Sequence, residues 1–90
     1  MTQFLVEVFT PRASAGKLAA AERRVMAAAN QRPGADGDLR FVRATYIPED
    51  EICFFVFDAP SGREAALVAQ RAGLEPIRVV EAVSSAKEDQ

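Results

Sequence analysis

The chain has no histidine and only one cysteine, Cys53, in its 90 residues. The first absence removes the commonest general base near neutral pH and the commonest metal ligand. The second excludes an intrachain disulfide and fits a reducing compartment. No apolar run approaches the roughly 20 residues of a membrane-spanning helix. The opening Met1-Thr2-Gln3-Phe4 also lacks the basic-then-apolar layout of a signal peptide. The expected address is the cytoplasm, with no membrane partner. Positive charge is not in excess either. Eleven Lys and Arg against thirteen Asp and Glu give a formal net charge of -2, scattered along the chain. That leaves no footprint for a phosphate backbone, so no nucleic-acid partner is expected. A Gly-rich phosphate loop, a CxxC pair, HExxH and a Ser/His/Asp set are all missing. Ala13-Ser14-Ala15-Gly16-Lys17 lacks both the first glycine of a phosphate loop and the Ser or Thr after its lysine.

What is present is an ordinary globular composition, 49% hydrophobic and 27% charged. The expectation is a single domain over residues 1–84 with a polar, disordered tail over 85–90. A chain this short buries only roughly 60–65% of its unfolded surface, which leaves a thin core and favours association with a partner. The organising stretch is Ile52-Cys53-Phe54-Phe55-Val56-Phe57, six apolar residues between Glu51 and Asp58. As a strand it is apolar on both faces and belongs in the middle of a covered sheet.

The other elements are placed around it. Gln3–Phe9 reads as a strand, with Phe4, Val6 and Val8 on one face and Leu5, Glu7 and Phe9 on the other. A helix follows, N-capped by Ser14 and running to Asn30, with Leu18, Ala21, Val25, Ala28 and Ala29 inward and Lys17 and Arg24 opposite. Glu22 lies at the border of that stripe, either at the surface or looking into a cavity. Gln31–Asp38 is a loop rich in Pro and Gly. Leu39–Ile47 reads as an edge strand, with Leu39, Phe41, Arg43, Thr45 and Ile47 on one face and Val42, Ala44 and Tyr46 on the other. A turn at Pro48-Glu49-Asp50 joins it to the organising strand as a hairpin. Ser61 and Glu64 have capping-box spacing at the start of a second helix, which stops at Gly73 in the left-handed C′ position; Leu67 and Leu74, with Val68 and Ala66, form its buried side. Ile77–Val83 is the last strand.

The order β-α-β-β-α-β is that of an α+β, ferredoxin-like domain: a four-stranded antiparallel sheet ordered 4-1-3-2, with two helices on one face. Two helices cover one face only, so the other apolar face calls for a second layer. A second copy of the sheet supplies it in a dimeric α+β barrel, and a homodimer through the sheet face is the expected partner.

The polar groups in apolar surroundings are Glu7, Glu81, Tyr46 and Cys53. Glu7 and Glu81 stand on strands expected to be neighbours. On one face they would form a carboxylate pair for acid–base work or for holding a cation; otherwise each pairs with Arg43, Arg78 or water. Cys53 lacks an adjacent cation and reads as a small buried hydrophobe rather than a nucleophile. Tyr46 either donates to a ligand or keeps its hydroxyl wet.

From Thr45 to Val83 the run T-Y-I-P-E-D, then F-F-V-F-D-A-P-S, then R-A-G-L and a short strand with Glu81 resembles an uncharacterised family, a domain of unknown function made of small ferredoxin-like proteins. Some of its members are described as nickel-binding. The Phe4-Leu5-Val6-Glu7 strand fits too, so the resemblance spans about residues 3–83. It implies the fold, a dimer and, weakly, nickel as cofactor. In that family cysteine often stands in place of Phe55, tyrosine or a similar residue in place of Phe57, glutamate in place of Asp58 and histidine in place of Val68. The ligand positions retained here are Glu7, Tyr46, Asp58 and Glu81, with Cys53 two residues from the family's cysteine; such a set suits a hard oxygen-ligand site better than an imidazole or thiolate nickel site.

The functional expectation is a small dimeric binding protein, with Glu7, Tyr46, Phe55, Phe57 and Glu81 as ligand-binding residues and no catalytic residue assigned. Its ligand is a metal ion, of identity unknown, or a small apolar molecule held between sheet and helices. Two alternatives stay open: a cofactor-free oxygenase or isomerase in which Glu7, Glu22 or Tyr46 converge, and a pure protein-interaction module.

Overall fold

The computed structural model describes residues 2–31 and 39–83. The loop expected over Gln31–Asp38, apart from Gln31, and the polar tail lie outside the described residues. In chain order the elements are β1 (Thr2–Phe9), a 3-10 turn (Arg12–Lys17), α1 (Leu18–Asn30), β2 (Arg40–Ile47), β3 (Ile52–Ala59), α2 (Gly62–Arg71) and β4 (Pro76–Ala82). The strands form one antiparallel sheet in the order β2-β3-β1-β4, the expected ferredoxin-like α+β arrangement with its two most apolar strands in the centre. Among the described residues, no helix is long and apolar enough to cross a membrane.

Strand parity decides what is covered. Phe4, Val6 and Val8 of β1 stand opposite Phe57, Phe55 and Cys53 of β3, and these residues pack with Ala21 and Val25 of α1 and Ala65, Val68 and Ala69 of α2. Phe55 and Phe57 are fully buried there, each in contact with the ring of Phe41, at centroid distances of 6.2 and 5.5 Å. The other parity, Leu5 and Glu7 of β1 with Phe54 and Val56 of β3, forms the opposite sheet face.

Two bulges interrupt the sheet, and one of them changes an expected face. In β2 the register shifts between Phe41 and Arg43. Phe41 therefore joins Ala44 and Tyr46 over the core, instead of sharing a face with Arg43, Thr45 and Ile47. A second shift, between Glu7 and Val8, sets Pro76 opposite Val8 and leaves Ile77 56% exposed.

The helix ends follow backbone chemistry. Ser14 is not an N-cap. Its N–H bonds to the Pro11 carbonyl at 2.8 Å within the 3-10 turn, which runs directly into α1 without a side-chain cap. Ser61 caps α2 as expected, its Oγ accepting the Glu64 N–H at 3.2 Å. The buried stripe of α2 is Ala65, Val68, Ala69 and Ala72, with Leu67 exposed. Small residues win here because α2 starts flush on the sheet: a Cβ on Gly62 would stand 3.3 Å from Val79 and 3.4 Å from Phe4.

The α2 terminus is a Schellman motif. Gly73 at φ 87 donates to Gln70 O at 2.9 Å, and Leu74 donates to Ala69 O at 3.0 Å. Because nothing lies within 4 Å of a Cβ added at Gly73, Gly73→Ala carries the backbone cost alone. The expected destabilisation is about 1–2 kcal/mol, read by urea unfolding. Gly16→Ala, also in open space but without positive φ, is expected to be neutral or slightly stabilising. Equal effects for the two would contradict the assignment of the cost to φ.

Candidate functional site

Where the 3-10 turn and α1 cross the sheet beside the end of α2, the helix layer leaves a cavity of about 160 Å³. Its apolar wall is built from Val8, Leu18, Ala21, Phe55 and Leu74. Each is there for a local reason. Val8 and Phe55 have the helix-facing parity of the central strands. Leu18 and Ala21 belong to the inward stripe of α1, and Leu74 is turned back by the Schellman motif. A methyl side chain at position 21 leaves space beside Phe55 that a leucine would fill.

The mouth of the cavity is polar and carries positive charge. Thr10, Ser14, Lys17 and Arg24 line it; the lining contains no acidic side chain. The guanidinium Nε of Arg24 donates to Ala72 O at 2.9 Å. That bond satisfies a carbonyl at the α2 terminus and holds the arginine between the helices. The chain from Thr10 to Lys17 is pinned from the far side by the β2–β3 turn. Thr10 N–H donates to Glu51 O at 2.7 Å, Arg12 N–H to the Glu51 carboxylate at 3.0 Å and Arg12 Nε to Pro48 O at 3.1 Å. Glu51 itself sits at φ 56, a left-handed position that these contacts hold in place.

The residues expected to bind a ligand are distributed unevenly around this cavity. Phe55 is part of its wall. Phe57 lies further along the core, against Phe4 and Phe41. Tyr46 is one step removed, its hydroxyl donating to Thr10 O at 2.9 Å, so it supports the mouth instead of presenting a free donor.

Glu7 and Glu81 are not brought together. Glu7 stands opposite Arg78 and Glu81 opposite Phe4; an odd separation along β1 puts the two carboxylates on opposite faces. Glu7 accepts from Arg78 Nε at 2.7 Å, the arginine pairing weighed in the sequence. Glu81 is exposed at the edge strand. Because Glu7 and Tyr46 point to opposite faces, Glu7, Glu22 and Tyr46 do not converge.

Glu22 is half-buried. Burial, and after it the Glu22 carboxylate, push the Cys53 thiol up to about 11 from its ordinary 9.0. Cys53 is thus a neutral, inert member of the core. Asp58, the other acidic position retained from the family pattern, pairs with Arg40 at 2.6 Å on the open face. Among the described residues, no three His, Cys, Asp or Glu side chains are grouped to hold a metal ion.

Sequence reasoning missed Lys17, Arg24, Thr10 and Ser14 as site residues. On a helical wheel Lys17 and Arg24 fall away from the apolar stripe, and only the docking of α2 turns that flank into the rim of a cavity. No local pattern carries that signal. A wider groove of about 460 Å³ continues past Arg24 to Gln31 and Arg71. Its floor is alanine, and it adjoins the carbonyl end of α2, where Arg24 already takes up the Ala72 carbonyl.

No protein-family model matches the chain, and no curated relative matches it. Among solved structures, the crystal structure of SCO4226 from Streptomyces coelicolor A3(2) is similar, with 19% identity and a TM-score of 0.75 over 93% of this chain and 99% of that one. The likeness establishes a shared fold.

Proposed function

We propose that this chain is a small binding protein that holds a compact apolar ligand in the cavity floored by Phe55 and acts as a homodimer through its open sheet face. The observation that carries the ligand reading is the cavity itself, apolar at its base and open at a polar mouth. Its volume of about 160 Å³ is enough for a benzene-sized molecule. A concave, half-open pocket with an apolar base favours a small-ligand site over a pure interaction module. The separation of Glu7 from Glu81 and the committed Tyr46 hydroxyl weigh against the enzyme reading, which needs converging groups. The scattered acidic residues weigh equally against nickel or another metal.

Titration with toluene, followed by amide chemical shifts, tests the ligand reading. Saturable shifts at Leu18, Phe55 and Leu74 are expected. Their absence at millimolar toluene would remove the reading.

A second copy of the chain is the occupant of the open face. Leu5, Ile52, Phe54 and Val80 are only half-buried there, and Val56 is screened by its neighbours. Most of the surrounding charges are paired within the chain, Glu7 with Arg78 and Asp58 with Arg40, so covering this face need not leave those charges unpartnered. Light scattering is expected to give a mass of about twice 9.8 kDa, and Phe54→Glu is expected to return the monomer. A wild-type monomer at micromolar concentration would contradict the dimer.

A further inference from the structure

We infer that the ligand of this cavity is an amphipathic carboxylate, with an aryl or branched-alkyl body against Phe55 and its carboxylate held at the mouth by Lys17 and Arg24. The inference rests on the proposed ligand reading and adds the chemical class of the ligand.

Charge at the mouth carries it. Two cations line a cavity whose wall is otherwise apolar, and none of the lining residues can neutralise them. Among the described residues, Lys17 and Arg24 take part in no ion pair; the pairs found are Arg40 with Asp58 and Arg78 with Glu7, both on the opposite sheet face. Arg24 is also pre-placed. Its Nε is committed to Ala72 O, which orients the plane of the guanidinium and leaves the terminal N–H groups as donors, the geometry that favours a carboxylate. A held cation costs less ordering on binding than a free one. Ser14 adds a polar side chain at the same rim, while the Thr10 hydroxyl is committed to Val8 O at 3.2 Å.

Size sets the body of the ligand. About 160 Å³ admits one ring or a short branched chain, and the carboxylate then stays at the wet mouth, where it is not desolvated. A long-chain acid exceeds the cavity, and a bare inorganic anion leaves its apolar wall unused.

Phenylacetate and its neutral analogue phenylacetamide, titrated separately and followed by amide chemical shifts, provide the test. Both are expected to shift Leu18, Phe55 and Leu74, with phenylacetate binding roughly five- to ten-fold more tightly, as one to two partly exposed charge contacts allow. Lys17→Gln is expected to abolish most of that preference while leaving phenylacetamide unchanged, and Lys17→Arg to restore it. Acetate alone is expected to bind far more weakly than phenylacetate. Equal affinity for acid and amide in the wild-type chain would overturn the carboxylate inference and leave the apolar cavity reading standing. Failure of both compounds to shift these residues would remove the two readings together. A preference that survives Lys17→Gln and added salt would equally overturn the role given to the cations, since exposed charge contacts are screened.

Discussion

Every feature of this molecule depends on the two central strands being apolar on both faces while the helices cover only one. β1 and β3 alternate strictly across their shared register, so a single parity choice sends Val6, Val8, Cys53, Phe55 and Phe57 under α1 and α2 and sends Leu5, Glu7, Phe54 and Val56 to the other side. A slip of one residue would exchange the two sets. On opposite faces, the aromatic contacts of Phe41 with Phe55 and Phe57 fix β2 against β3, and the Glu7–Arg78 pair fixes β4 against β1. The cavity and the open face are its two consequences, one on each side of the same sheet.

The cavity arises where large sheet residues meet small helix residues. Ala21, Ala65, Ala69 and Ala72 let the helices sit close to the sheet. At the edge of that contact the small side chains leave space that Phe55 and Leu74 do not fill. The same stretch of chain that walls the mouth, Thr10 to Lys17, is fastened through Glu51 and Pro48 to the β2–β3 turn, while Arg24 fastens α1 to the end of α2. The mouth is therefore built from segments held at both ends, which favours a pre-formed site over one assembled by the ligand.

The element order and central strands were legible in the sequence because each signal is local: apolar runs, the Ser61 cap, the Gly73 terminus. The sheet order followed from connection rules alone. The faces were less legible. Phe41 changed sides through a bulge, and a bulge depends on the pairing of two strands, which neither strand announces. The Glu7–Glu81 pair failed as a shared site for the same reason, since only register decides whether residues on neighbouring strands share a face. Phe55 was visible as a pocket residue because it is large and central. Lys17 and Arg24 were not, because their role depends on where α2 docks, a contact distant in sequence.

The central claim, that the ligand lies between helices and sheet against Phe55, is tested most directly by intermolecular nuclear Overhauser effects from bound toluene. The account predicts contacts from the ring to the Leu18 and Leu74 methyl groups and to the Phe55 ring. Contacts confined to Leu5, Phe54 and Val80 would place the ligand on the open sheet face and contradict it.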